Sequence, residues 1–308
     1  MQKGKRLRGG DTLGIVAPSG PCNLSQLEEG MSVLEGMGFR LKEAANLRQR
    51  RGYLAGDDEA RAAGIMEMFD DDGVDGVICA KGGYGANRMA SLIDVDVIRA
   101  NPKVFLGYSD ITTLHLFFNQ GAELITFHGP MAAFDFGPKA TVFSMESMVR
   151  WVMDGAPGPL ENPPDYPRRT LAPGKARGQL VGGNLNLLAY SIGTPWEIDS
   201  RGKILFIEEI EEEPYKVDGM LIQLVNAGKL QECAGIVLGD FNNCEVTKTN
   251  PSLTLEEALA DILLPLGVPV MAGLRAGHCE PKLTLPLGAV CALDADAQML
   301  TVLEDVVG

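Results

Sequence analysis

Apolar and polar positions follow two periods along the first half of the chain. Short apolar or β-branched runs at Thr12 to Ala17, Arg40 to Glu43, Gly76 to Ala80, Val104 to Gly107 and Leu124 to Thr126 predict strands. Between them, Leu27, Met31, Leu34 and Met37 recur at helical spacing within 24–37. Ala63, Met66 and Phe69 do the same within 59–70, behind the capping candidates Asp57 and Asp58. Strands alternating with amphipathic helices predict an α/β fold, a mostly parallel sheet covered by helices.

The periodicity gives out between 156 and 175, where prolines, glycines and charges crowd together, and this stretch reads as a linker after an N-terminal domain of residues 1–155. Beyond it, strands are expected at Gly178 to Val181, Ile204 to Glu208, Gly235 to Gly239, Val268 to Ala272, Leu283 to Leu285, Val290 to Leu293 and Met299 to Val302. Helices are expected at Asn184 to Ile192, Tyr215 to Ala227 and Leu255 to Leu264. Residues 176–308 therefore form a second, smaller and strand-richer α/β domain.

Composition narrows the function. A chain of 308 residues with 45% hydrophobic positions can bury two cores, while a formal net charge of −14 argues against a nucleic-acid partner, which needs clustered cations. No apolar run reaches the roughly 20 residues that span a bilayer, so no membrane embedding is expected. The basic start Lys3, Lys5, Arg6, Arg8 leads into no apolar stretch, so no signal peptide is read and a cytoplasmic location is expected. The six cysteines are scattered without C-x-x-C spacing, which predicts reduced, mostly buried thiols and no zinc site.

Candidate chemistry centres on the segment from Val104 to Thr112, where a buried strand turns sharply into a helix at Ser109. A serine there sits at the carboxyl end of the sheet beside free N–H groups and the positive end of a helix dipole, and the Asp110 N–H could hold an oxyanion. Taken alone, this segment favours Ser109 or Asp110 as a simple helix cap, and the G-x-S-x-G pattern is absent because Ile111 stands at its last glycine. A second turn, Lys81-Gly82-Gly83-Tyr84-Gly85, follows the third strand. Gly82 or Gly83 could supply the other oxyanion donor, although the turn fits neither a dinucleotide fingerprint nor a P-loop.

Of the three histidines, His115 lies inside a helix and His128 ends a strand. His278 lies in a glycine-punctuated loop, where a general base can project. His278-Cys279-Glu280 matches the H-x-E of zinc deaminases, but their P-C-x-x-C element is missing. Glu208 closes the apolar run Ile204 to Ile207 and is the carboxylate most firmly positioned by a sheet, whereas Glu211 to Glu213 read as a solvated loop. A metal held by these carboxylates is the alternative.

Together these segments resemble the LD-carboxypeptidases: Gly107-Tyr108-Ser109-Asp110-Ile111-Thr112, Lys81 to Gly85, Phe206-Ile207-Glu208-Glu209 with Pro214-Tyr215, and Gly277-His278, joined by Ile15 to Gly20 and Gly182-Gly183-Asn184-Leu185. The resemblance spans nearly the whole chain. It implies a serine peptidase with Ser109 as nucleophile, His278 as base and Glu208 as its partner. It further implies a cofactor-free homodimer that releases terminal D-alanine from muropeptide tetrapeptides in the cytoplasm during peptidoglycan recycling. Lys81 stands where relatives often carry Arg, and Glu209 where many carry Asp. Lys81 and Arg88 are the cations offered to a substrate carboxylate. A microcin-immunity-type peptidase acting on peptidyl or aminoacyl nucleotides is the near alternative. A non-catalytic peptide-binding module and a nucleotide-dependent enzyme are the distant ones.

Overall fold

A computed structural model describes residues 1–137, 140–246 and 251–308. In chain order its strands are β1 Thr12–Val16, β2 Arg40–Glu43, β3 Gly76–Cys79, β4 Val104–Gly107, β5 Thr126–His128, β6 Gly158–Pro159, β7 Arg169–Ala172, β8 Lys175–Asn184, β9 Ile204–Ile210, β10 Gly235–Asn242, β11 Val270–Ala272, β12 Leu285–Leu287, β13 Val290–Asp294 and β14 Met299–Val302. The α-helices are α1 Leu24–Gly36, α2 Asp58–Asp70, α3 Ala86–Met89, α4 Val95–Ala100, α5 Thr112–Gly121, α6 Val142–Val149, α7 Leu185–Ser191, α8 Pro214–Asn226, α9 Lys229–Glu232 and α10 Leu255–Leu263.

The chain divides into two compact units. The first comprises Met1–Ala156, Thr284–Gly288 and Asp305–Gly308; the second comprises Pro157–Leu283 and Ala289–Glu304. In the first unit six strands lie in the order β12-β5-β4-β3-β1-β2, all parallel except β12, which runs antiparallel to β5. β1 has β2 on one side and β3 on the other, so the chain reverses its direction of winding there, and the loops after β1 and β3 diverge at a topological switch point. Its core joins the apolar face of α2 (Ile65, Met68, Phe69) to Phe105, Leu114 and Phe118, and a fully buried side chain of this size is worth about 1.5–3 kcal/mol. Asn23 caps α1 by accepting the N–H groups of Ser25 and Gln26, and Asp57 caps α2 by accepting that of Ala60.

The second unit holds eight strands in the order β6-β14-β13-β8-β9-β10-β11-β7, with β8, β9, β10 and β11 parallel and the outer pairs antiparallel. Three findings differ from the sequence expectation. The stretch 156–175 is not a bare linker: it supplies β6 and β7, the two edge strands of this sheet. Edges are where Pro159 and the neighbouring prolines are tolerated, because an edge N–H needs no ladder partner. The strand expected at Leu283 to Leu285 is β12, two residues later, and it returns to the first unit's sheet. β5 is likewise displaced by two residues from the expected Leu124 to Thr126. Among the described residues no helix is long and apolar enough to cross a membrane. All six cysteines are buried and unbridged.

Candidate active site

The first unit presents Ser109. β4 is buried along its whole length, Tyr108 stays extended, and the backbone then breaks to φ 68° at Ser109 before entering a helical turn. A left-handed conformation at a residue with a side chain costs about 1–3 kcal/mol and persists only where surrounding structure imposes it. Here the imposing contact is Gly82. A Cβ on Gly82 would lie 2.9 Å from Ser109 Cβ and 3.1 Å from its Oγ, so only glycine lets the turn after β3 close on the serine. The Gly82 carbonyl accepts the Gly20 N–H at 3.0 Å, which ties the turn to the loop after β1 at the switch point.

Neither Ser109 nor Asp110 caps its own helix through a side chain. The buried Asp110 carboxylate instead accepts the N–H of Ala86 at 2.8 Å, the first residue of α3. Burial pushes this carboxyl up, opposed by that hydrogen bond. The Asp110 N–H lies in the first turn of its helix, where no helical carbonyl precedes it.

The remaining first-unit candidates separate. Arg88 is drawn away into a bidentate pair with Asp58, Nε to Oδ1 at 3.0 Å and Nη2 to Oδ2 at 2.9 Å. Lys81 is half-buried and makes no ion pair among the described residues, so it is the cation left at the turn. His115 is fully buried. Its Nε2 must donate to the Gly107 carbonyl at 2.8 Å, so its Nδ1 accepts from the Thr126 hydroxyl at 2.9 Å, and burial pushes its pKa down to about 4. A neutral His115 thus braces the strand that leads to Ser109. The His128 ring packs beside Tyr108, with centroids 5.8 Å apart.

The second unit joins Glu208 to His278. β9 delivers Glu208 to a fully buried position, where its Oε2 accepts His278 Nδ1–H at 2.7 Å and the His278 backbone N–H at 3.2 Å. Gly277, at φ 109°, permits this approach, since a Cβ there would fall 2.5 Å from Glu208 Oε2. Asn242, at the end of β10, holds the His278 carbonyl at 2.8 Å. A carboxylate acceptor fixes the proton on Nδ1 and leaves Nε2 as the nitrogen that changes protonation state. Burial alone would lower the His278 pKa, but the charge and hydrogen bond of Glu208 outweigh it and the net shift is upward. Glu209, the neighbour of Glu208, is buried and accepts three hydrogen bonds, from Asn184 Nδ2 and from the N–H groups of Asn186 and Ile210. It fastens β9 to the start of α7.

The raised His278 pKa has opposite consequences for turnover and stability. A base works only when neutral, so kcat/KM for any reaction using His278 is expected to fall as pH drops through a midpoint above the ordinary 6.5. The pair's contribution to stability is full below the unfolded-state value and is lost as pH rises through the folded one. Parallel pH profiles of kcat/KM and melting temperature check this; an acid-limb midpoint at or below 6.5 would count against Glu208 as the controlling charge.

Sequence reasoning missed two groups. Asn242 carries no pattern that distinguishes it. Arg61 does, because it stands on the buried stripe of α2 with Ile65 and Met68 at i+4 and i+7 and is itself 0% exposed. Among the described residues no group of three or more His, Cys, Asp or Glu is arranged to hold a metal ion.

Known proteins match this arrangement along the chain. Residues 13–129 match the model of the LD-carboxypeptidase N-terminal domain and residues 177–293 that of the LD-carboxypeptidase C-terminal domain. A probable murein peptide carboxypeptidase of Bacillus subtilis is 44% identical, with 98% of this chain and 94% of that protein covered. The structure of the muramoyltetrapeptide carboxypeptidase of Oxalobacter formigenes superposes with a TM-score of 0.83 at 30% identity, covering 94% of this chain and 97% of that one. The microcin C7 self-immunity protein MccF of Escherichia coli, solved with aspartyl sulfamoyl adenosine, superposes with a TM-score of 0.91 at 25% identity over 100% of both chains. A serine on a strand–helix elbow in one unit, an acid–histidine pair in the other, and two domain models matched in sequence order lead to one assignment: the chain belongs to the LD-carboxypeptidase family of serine peptidases.

Proposed function

We propose that this enzyme releases the terminal D-alanine of muropeptide tetrapeptides, with Ser109 as nucleophile, His278 as general base and Glu208 as the carboxylate that orients it. The observation that carries the catalytic reading is the φ of 68° at Ser109 with Gly82 packed on its side chain, a conformation with no use in a mere helix cap. The murein peptide named for the 44% identical relative supports the substrate class. Ser109 Oγ attacks the carbonyl carbon of the residue before D-alanine while His278 Nε2 takes its proton. The N–H groups of Asp110 and of Gly82 or Gly83 receive the oxyanion. His278 then gives the proton to the departing amine, and water, activated in turn by His278, hydrolyses the acyl-serine. Buried, unbridged cysteines fit work in the cytoplasm, and the family resemblance supports a homodimer without a cofactor.

Lys81 is the group for the substrate's terminal carboxylate. A hydrogen-bonded charge is worth about 1.5–3 kcal/mol, so Lys81→Ala is expected to raise KM by about 10- to 100-fold while kcat changes little. Steady-state kinetics on the tetrapeptide and on its C-terminal amide check this, because only the acid should lose affinity.

The high superposition with MccF favours a second reading, cleavage of an aminoacyl or peptidyl nucleotide. Against it, both tryptophans, Trp151 and Trp196, are buried and cannot serve as a stacking platform for a base. Mass-spectrometric assay of D-alanine release from L-Ala-D-Glu-diaminopimelate-D-Ala, with and without chelator, decides between them. Chelator-resistant release supports the muropeptide reading. No release by the wild type redirects the assay to aminoacyl nucleotides, and chelator-sensitive release overturns the serine mechanism.

A further inference from the structure

One peptide group behind the glycine turn is gripped by side chains on both of its edges. The carbonyl of Gly85 accepts Arg61 Nη1–H at 2.8 Å, and the N–H of the same peptide unit, that of Ala86, donates to Asp110 Oδ2 at 2.8 Å. Neither grip is incidental. Arg61 is 0% exposed, and its Nη1 also donates to the Pro18 carbonyl at 2.5 Å in the loop after β1. Its Nη2 binds Asp58, which in turn holds Arg88 of α3. The Arg61 Nε–H has no partner among the described residues, so the desolvated guanidinium is matched through its ends, and the two Nη1 bonds join the two loops of the switch point. Asp110 is 2% exposed and adjoins Ser109 in sequence, so the residue after the serine reaches across to orient the turn that packs on that serine.

We infer that Arg61 and Asp110 act as a pair of positioning residues that clamp the Gly85–Ala86 peptide and thereby hold the Gly82 and Gly83 N–H groups in register with Ser109 Oγ. The inference rests on the reading of Ser109 as nucleophile. Because both side chains act through one peptide, loss of either should release the same turn. An oxyanion-hole donor is worth about 10²- to 10³-fold in rate, so a displaced turn should lower kcat by about 10²-fold and leave KM within about threefold.

The experiment compares wild type with R61Q, D110A, D110N and the R61Q/D110A double variant, read by tetrapeptide kinetics, by the rate at which a fluorophosphonate labels Ser109, and by melting temperature. The clamp predicts that D110A and R61Q slow both turnover and labelling by about 10²-fold and that the double variant is no more than about threefold slower than the worse single one. It also predicts that D110N keeps most of the rate, since an amide oxygen can still accept the Ala86 N–H. Losses that multiply in the double variant, or a D110A that labels at the wild-type rate while melting lower, would overturn it and assign the two residues to stability alone. D110A and D110N leave Arg61 untouched, so the result stands even if R61Q does not fold. Wild type that labels at Ser109 but does not turn over the tetrapeptide would sink the substrate and leave the clamp to be judged on labelling; wild type that is never labelled would sink the nucleophile and the clamp with it.

Discussion

Ser109→Ala is expected to remove D-alanine release almost entirely, by about 10⁶-fold in kcat, the scale on which serine peptidases respond to loss of their nucleophile. The variant keeps the amides of Asp110 and of the glycine turn, the donors proposed for the oxyanion, so any residual rate measures what they and binding achieve without covalent attack. Because Ser109 sits at φ 68°, alanine there retains the backbone strain of the wild type. Ser109→Gly relieves it, and with about 1–2 kcal/mol of left-handed strain removed it is expected to melt higher by several degrees while remaining equally inactive. Parallel measurement of release and of thermal melting separates these effects. A Ser109→Ala enzyme retaining more than about 1% of the wild-type kcat would exclude covalent catalysis at this residue, far outside the loss expected of a nucleophile. A Ser109→Gly enzyme that melts lower would show that the side chain contributes packing beyond its chemistry.

How far the sequence revealed this molecule depends on which physical signal each part carries. Strands with strong apolar runs and glycine or proline punctuation were legible to within a residue, as at β3, β4 and β14. β6 and β7 were not, because an edge strand needs neither alternation nor unbroken N–H donors, so Pro159 and its neighbours mimic a linker. β12 reads as an ordinary strand; nothing local says that it crosses back to pair with β5. In α2 the apolar period pointed to Ala63 and Met66, yet Ala63 is exposed, and the buried face runs through Arg61, Ala62, Ile65, Met68 and Phe69. A charge inside the stripe displaced the apparent face by about one residue.

The site shows the same division. The elbow at Ser109 and the glycine turn packed on it, and the neighbourhood of Glu208 and His278, were suggested by turn chemistry and residue type, which limit the choices. Arg88 was offered to a substrate carboxylate, and no sequence pattern shows that Asp58, thirty residues earlier, pairs with its guanidinium. The role of the Asp110 side chain was equally invisible: a residue expected to offer a backbone N–H uses its carboxylate to cap a different helix. Interactions fixed by tertiary approach of charged groups leave no periodic trace.

The second large effect is expected at Glu208, and it separates orientation from stability. Glu208→Gln keeps the volume in a site where Gly277 leaves no room for a larger change. The amide can present an N–H to His278 Nδ1, which favours the tautomer carrying its proton on Nε2 and disables the base, so kcat is expected to fall by about 10⁴-fold. Loss of the carboxylate also removes the charge that raises the His278 pKa, so burial is left to lower it and the acid limb of the pH–rate profile should move down. Stability should respond far less. The wild-type carboxylate is fully buried with Oε1 unmatched by any hydrogen-bond partner among the described residues, so its burial is costly. Exchanging it for a neutral amide gives up charge-assisted bonds to His278 but removes that cost. A Glu208→Gln enzyme with a melting temperature within a few degrees of wild type, a large loss in kcat and a shifted acid limb would establish Glu208 as the orienting carboxylate. Activity within about tenfold of wild type would reassign the role, since a tautomer held wrongly cannot leave turnover so nearly intact.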